Sequence, residues 1–144
     1  MKTQPLGGAD GRRRFAVVLA TGDKVKESVR AFANSLGATG HLHGIGAMQK
    51  ATVAFWNPAT RAYEHIEVNE QVEVLSLIGN VAHVRDRLDL HAHVVLGHRD
   101  GHTTGGHLIE AVVHPTLELL FVECVPALRR EKDADTGLDL LAVK

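Results

Sequence analysis

The chain has 144 residues, of which 44% are hydrophobic and 23% charged, and its formal net charge is -1. These values are typical of a single globular domain and exclude a largely disordered chain. The near-zero charge argues against nucleic-acid binding by the whole surface, which depends on neutralising phosphates, and leaves only a local basic patch. A single cysteine, Cys124, excludes an intrachain disulfide and a zinc cage of several cysteines.

The first part of the chain, residues 1–13, is expected to be a flexible tail because it is rich in glycine and polar residues. It lacks the apolar core of a signal peptide, and no later apolar run approaches the ~20 residues that span a bilayer. We therefore expect a cytoplasmic protein with no membrane partner. The arginines Arg12, Arg13 and Arg14 form the only basic cluster here and are the candidate DNA-binding residues.

A short apolar run at residues 15–20 predicts a buried strand, and the pattern then changes to helical spacing. One principal helix is expected at about residues 23–36, with its apolar positions on one face. Thr21 or Asp23 is expected to cap the start of this helix, and Gly37 to end it.

From residue 40 onward the pattern is that of strands separated by turn residues. Gly44 and Gly46 predict a bulge, the pair Gly79 and Asn80 a turn or bulge, and Pro115 a break in the last long strand. Because strands and helices do not alternate, the expected fold class is α+β, with a mainly antiparallel β-sheet of six to eight strands and one helix.

The domain organisation follows from these elements. Residues 14–126 are expected to form one domain that contains the sheet and the helix. Residues 127–144 begin charged and end apolar. The sequence leaves open whether this C-terminal tail docks as a strand or stays loose.

Five of the ten histidines lie between His91 and His107. Side chains alternate along a strand, so His91 and His93 are expected on one face, roughly 6–7 Å apart. Gly105 and Gly106 permit a close approach that would place His107, which begins the next strand, beside this pair. Three neutral imidazoles are good ligands for a transition metal and leave a fourth position open. These three histidines are the candidate metal ligands.

The remaining chemistry of this region is less specific. His98 and His102 lie in turn sequence and are expected to be exposed loop residues. A hydrolytic metal centre would also need a base, for which Glu118 and Glu123 are the weak catalytic candidates. Their odd separation allows only one of them to face the site on a regular strand. Cys124 ends an apolar run and is expected to be a small buried residue.

Four stretches, "GIGAMQKATVAFWN", "EVLSLIGNV", "LDLHAHVVLG" and "TTGGHLIEAVV", occur here in a specific order. Together they resemble the PPC domain (DUF296), which accompanies AT-hooks in plant nuclear proteins and stands alone in prokaryotes. The resemblance covers residues 14–126 and implies a sheet packed with a helix, and a homotrimer. It also implies that His91, His93 and His107 match family histidines that can hold a transition metal, zinc being the first expectation.

The resemblance does not transfer the DNA-binding label of the plant proteins. The segment "GRRRF" lacks the Arg-Gly-Arg-Pro core by which an AT-hook enters the minor groove. The sequence therefore leaves three functions open. The first is a trimeric module that binds a transition metal or small ligand through the three histidines, in a regulatory or unknown role. The others are a DNA-associated regulator with a trimer-presented basic tail, and a metal-dependent enzyme.

Overall fold

The computed structural model describes residues 1–8 and 10–143, and over these it has one α-helix and nine strands in a single sheet. The elements in chain order are β1 (Lys2–Leu6), β2 (Arg14–Ala20), α1 (Val25–Leu36), β3 (Gly40–Asn57), β4 (Ala62–Val68), β5 (Val72–Val84), β6 (Arg87–Gly97), β7 (Thr103–Glu123), β8 (Arg129–Lys132) and β9 (Asp139–Leu141). All strand pairs are antiparallel except β5 with β8. The α+β prediction is confirmed.

The additional strands lie in the two terminal segments. β1 lies within the segment expected to be a tail and pairs with β2, and the N-terminal amino group lies 2.9 Å from the Asp23 carboxylate. β8 adds to the edge of β5 and β9 pairs with β8. Short edge strands bury few side chains, so the sequences of β1, β8 and β9 lack the apolar alternation that predicts a strand.

The two long strands β3 and β7 organise the sheet. The pairings of β3 with β5, β5 with β6, β6 with β7 and β7 with β3 close a ring of four strands. The predicted bulge at Gly44 and Gly46 is confirmed, and a Cβ on Gly46 would lie 2.3 Å from the carbonyl oxygen of Thr116. Closing the ring leaves an inner face of apolar side chains and an outer face that carries the histidines described below.

Two predicted interruptions of the strands are wrong. β7 continues through Pro115, which lies at a shift of register where no ladder hydrogen bond is needed from its nitrogen. Gly79 and Asn80 lie inside β5 rather than in a turn. Gly79 allows β5 and β6 to lie close together, because a Cβ at this position would lie 2.5 Å from the carbonyl oxygen of His91.

The core joins the helix to the sheet through three aromatic rings. Phe32 of α1 makes edge-to-face contacts with Phe15 and Phe121, with ring centroids 5.4 and 5.3 Å apart. The helix packs on β6 and β7, the two strands that carry the candidate ligands. It has 12 residues, and no described helix is long and apolar enough to cross a membrane.

The start of α1 differs from the prediction. Neither Thr21 nor Asp23 caps it, since the Asp23 carboxylate accepts a hydrogen bond from the Ala20 N–H instead. The carboxylate of Glu110 in β7 accepts the N–H of Lys26 in the first turn, at 3.0 Å. A cap supplied from a distant strand has no local sequence signal. Gly37 ends the helix in the left-handed conformation, as predicted.

Replacing Glu110 with Ala is expected to lower the free energy of unfolding by about 1–2 kcal/mol, because it leaves the first turn of α1 without its acceptor. Urea unfolding measures the change. Glu73→Ala on β5 is the matched control, since that side chain is exposed and makes no hydrogen bond in the described chain. Equal losses in the two variants would contradict a capping role.

Candidate metal centre

The first two candidate ligands lie on the outer face of β6. Leu90, Ala92 and Val94 alternate with them and are buried in the core. His91 is half-buried and His93 exposed, and their ring centroids are 5.3 Å apart. The predicted placement of both rings on one face is confirmed.

The third candidate, His107, is returned to this pair by the β6–β7 hairpin. Its Cα is the direct register partner of His93, so the two side chains share a face. The ring centroids of His91 and His107 are 4.9 Å apart. A Cβ on Gly106 would lie 2.7 Å from the carbonyl oxygen of Ala54, so this glycine lets β3 approach β7 closely. Gly106 is therefore needed for the packing of β3 against β7 beside the site, and not for the turn between β6 and β7.

One ring nitrogen from each of the three histidines lies within 4.8 Å of the other two. The Nε2 atoms of His91 and His93 are 3.3 Å apart. Tetrahedral zinc with Zn–N bonds of 2.0–2.1 Å separates its nitrogen ligands by about 3.3–3.4 Å, so this pair already has the required spacing. The Nδ1 atom of His107 is buried with no hydrogen-bond partner in the described chain. The residues present fit a transition metal.

The protonation state of the site also suits a metal. Burial, with smaller contributions from the neighbouring histidines and from the cations Arg130 and Lys26, lowers the pKa of both His91 and His107 to about 4. Both rings are therefore neutral near pH 7, and neutral imidazole is the form that binds metals.

The metal-free protein is expected to lose stability as the pH falls from about 6.5 toward 4. In this interval the unfolded chain binds protons at His91 and His107 while the folded chain does not, so the free energy of unfolding rises with pH. Urea unfolding at a series of pH values measures the slope. His91→Gln should flatten it relative to His102→Gln, and identical slopes in the two variants would contradict the assignment.

Three further side chains lie beside the histidines, and the sequence did not predict them as part of the site. A cavity of about 150 Å³ lies beside His91 and His107, and its lining includes Tyr63, Lys26 and Arg130. The Tyr63 ring stacks on His107 with centroids 4.7 Å apart. None of these three side chains has a spacing relation to the histidines in the chain, so no sequence pattern could have selected them.

Arg130 is placed by the C-terminal strands. Its guanidinium donates a hydrogen bond to Asn80 Oδ1 at 2.7 Å and another to the carbonyl oxygen of Asp139 at 3.1 Å. Asn80 is the register partner of His91, so this contact brings the guanidinium beside the metal ligands. The segment for which the sequence left docking open thus contributes a residue to the site.

The two loop histidines do not join the cluster. The His98 side chain is only 7% exposed, which corrects the expectation of an exposed residue. Its Nδ1 contacts Glu70 and its Nε2 contacts Thr104, both at 2.9 Å, so both ring nitrogens are engaged. The ring of His102 is exposed, as expected, stacks on His98 with centroids 3.9 Å apart and contacts Asp100.

The carboxylate candidates are not near the histidines. Glu123 forms an ion pair with Arg13 at 2.7 Å. Glu118 lines a different cavity, bordered by β2, β3, β5 and β7. Neither residue is placed to act as a base at the metal centre.

Cys124 is half-buried rather than buried, and its sulfur lies 4.0 Å from His41 Nδ1.

The basic cluster is also partly neutralised. Besides the Arg13–Glu123 pair, Arg14 lies 2.6 Å from the Asp10 carboxylate. Arg12 alone of the three has no ion pair recorded in the described chain. The structure therefore does not present three free arginines side by side, which weakens their candidacy as a DNA-binding patch.

Comparison with known proteins places this architecture. Residues 7–125 match the family model of the Plants and Prokaryotes Conserved (PCC) domain. No curated protein sequence matches the chain.

Several solved structures are similar over almost their whole length. A metal-containing protein from Archaeoglobus fulgidus is 31% identical with a TM-score of 0.84, covering 90% of this chain and 93% of that one. A "putative DNA binding protein" from Bacteroides thetaiotaomicron is 26% identical with a TM-score of 0.87, covering 97% and 96%. A plant- and prokaryote-conserved (PPC) protein from Pyrococcus horikoshii is 24% identical with a TM-score of 0.85, covering 99% and 96%.

Proposed function

The chain belongs to the PCC domain family, and on that premise we propose that it is a trimeric module that binds one transition-metal ion through His91, His93 and His107. The observation that carries this proposal is the convergence of three histidine nitrogens within 4.8 Å of one another. Zinc is the expected metal, because a neutral three-imidazole set suits it.

The ligand set is supported by the neutrality of His91 and His107 and by the unpartnered Nδ1 of His107. The similarity to a metal-containing archaeal protein at 31% identity points in the same direction. When bound, the metal would supply a Lewis-acid centre with an open fourth position. Since neither Glu118 nor Glu123 lies at the site, the geometry supports metal and ligand binding more directly than hydrolysis.

Assembly is supported by an apolar patch on the outer face of the sheet. The patch consists of five exposed residues, Val18, Ile45, Leu75, Ile78 and Leu120, which line a cavity of about 590 Å³. Contiguous exposed apolar surface marks an interaction site. Two further copies of this chain are the proposed occupants.

The patch also borders the metal centre. Ile78 is the register partner of His93, so their side chains are neighbours on the same face. A copy seated on the patch would therefore lie beside the exposed side of His93. Trimer formation and ligand access to the metal are expected to be coupled for this reason.

The alternative of a DNA-associated regulator is supported by the similarity to the Bacteroides protein, which is described as a "putative DNA binding protein". A trimer would present Arg12 three times, and avidity would strengthen a weak contact. The ion pairs of Arg13 and Arg14 reduce the charge available to phosphates. A mobility-shift titration that compares the full chain with a chain lacking residues 1–14 tests this alternative.

Elemental analysis of the untagged protein, combined with light scattering, tests the proposal. We expect about one transition-metal ion per chain and a particle of three times the 15.6 kDa chain mass. A protein that binds no stoichiometric metal, even after incubation with Zn²⁺ and removal of the excess, would contradict the metal assignment. A monomer at all concentrations would contradict the assembly.

A further inference from the structure

The cavity beside the histidines carries a surplus of positive charge. Its volume is about 150 Å³, and His91, His107 and Tyr63 form part of its wall. The charged residues that line it are Lys26, Arg87, Arg130, Asp89 and Asp139. Three cations thus face two carboxylates, and the lining is net positive before any metal is counted.

The carboxylates of Asp89 and Asp139 form no ion pair with Lys26 or Arg130 in the described chain. Asp89 is engaged by Arg30 at 3.5 Å and by Arg87 at 3.7 Å. Asp139 accepts a hydrogen bond from Arg130 through its backbone carbonyl oxygen, and its carboxylate, although close enough to favour the charged guanidinium, forms no ion pair with it in the described chain. Lys26 has no ion-pair partner within 4.0 Å among the residues that the structure describes. Neither Lys26 nor Arg130 therefore forms an ion pair in the described chain, so both can contact a ligand in the cavity.

Arg130 also has an unused donor. Two of its nitrogens donate hydrogen bonds to Asn80 and to Asp139, but its Nε is buried and has no partner in the described part of the chain. Leaving a buried donor of a charged group unpaired is costly, and such groups are normally satisfied by the protein, water or a ligand. Guanidinium nitrogens in this arrangement suit carboxylate and phosphate oxygens.

We propose that this cavity binds a small oxyanion, a carboxylate or a phosphate group, between Arg130 and Lys26. The anion would lie next to the open coordination position of the metal, and that part rests on the proposed function. The cavity is small enough to restrict the ligand to one such group with few additional atoms. Arg130 lies outside the matched residues 7–125, so this preference belongs to the C-terminal segment of this chain.

NMR titration with sodium acetate and with sodium sulfate at constant ionic strength tests the proposal, with sulfate as the tetrahedral probe that does not precipitate zinc. Both metal-free and zinc-loaded protein are titrated. We expect saturable shifts of the Arg130 Nε–H signal, because an anion bound at the guanidinium changes the electrostatic surroundings of that group. The indole N–H of Trp56 gives a second signal, since its ring lies 5.1 Å from Tyr63. The probe that binds more tightly identifies the class of oxyanion.

Matched variants distinguish a built site from general attraction. Arg130→Met and Lys26→Met should each raise the Kd at least about tenfold, because each removes a charge-assisted contact. Arg129→Met and Lys24→Met make the same change of net charge one and two residues away in the chain, and each should raise the Kd less than about twofold. Arg130→Lys keeps the charge and should give an intermediate Kd, and thermal unfolding verifies that the variants fold.

The outcomes separate this inference from the metal assignment. No saturable shift with either anion, in either form of the protein, overturns the inference even if zinc binds. Equal effects of Arg129→Met and Arg130→Met also overturn it. Saturable, Arg130-dependent binding by a chain that binds no zinc would support the anion site and contradict the metal proposal.

Discussion

Replacing His91 and His93 together with Ala is expected to lower the affinity for Zn²⁺ by at least about 100-fold. Loss of a residue that merely orients a ligand costs 10–100-fold in metal affinity, and the double variant removes two of three proposed ligands outright. His107 would remain as a single imidazole at the site. Competition with a chromophoric zinc chelator at pH 7.5, on protein without a histidine tag, measures the affinity.

Two controls show whether the loss of zinc affinity is specific to the cluster and whether the double variant is folded. His102→Ala removes an exposed histidine outside the cluster and should leave the affinity unchanged. The metal-free double variant should unfold at a temperature no lower than that of the metal-free parent, since it loses one half-buried and one exposed imidazole rather than core packing. An affinity that survives the double substitution would show that the three histidines are not the site.

Replacing Ile78 with Asp is expected to convert the trimer into monomers. Ile78 is 64% exposed in the single chain and lies within the apolar patch, so assembly would bury the new carboxylate. Burying an unpaired charge costs several kcal/mol, and the symmetric assembly would meet that cost at every interface. Light scattering should then give 15.6 kDa in place of three times that mass.

Ile66→Asp is the matched control for this substitution. Ile66 is an exposed isoleucine of β4, outside the patch, with 43% of its surface accessible. The control should keep the trimer. A trimer that persists in the Ile78 variant, or that is lost equally in both variants, would contradict the assignment of the interface to the patch.

The placement of the three histidines follows from local rules that a sequence displays. Alternation along a strand puts His91 and His93 on one face, and a short hairpin loop returns His107 to them. The end of the helix at Gly37 and the bulge at Gly44 and Gly46 are likewise visible as glycine signals. These features depend on residues close together in the chain.

The features that the sequence did not predict depend on contacts between distant segments. Glu110 caps α1 across more than eighty residues, and Pro115 is tolerated only because the register of β7 shifts there. Arg130 reaches the site because β8 docks on β5, and His98 is buried by Glu70 and Thr104. A one-dimensional pattern carries no information about which distant partner satisfies a polar group.

X-ray absorption at the zinc edge of the zinc-loaded protein counts the atoms bound to the metal and so tests whether the three histidines are its ligands. Binding by His91, His93 and His107 would give three imidazole nitrogens at 2.0–2.1 Å, one further light atom and no sulfur. A zinc–sulfur distance of about 2.3 Å, or a shell with fewer than two imidazoles, would contradict it.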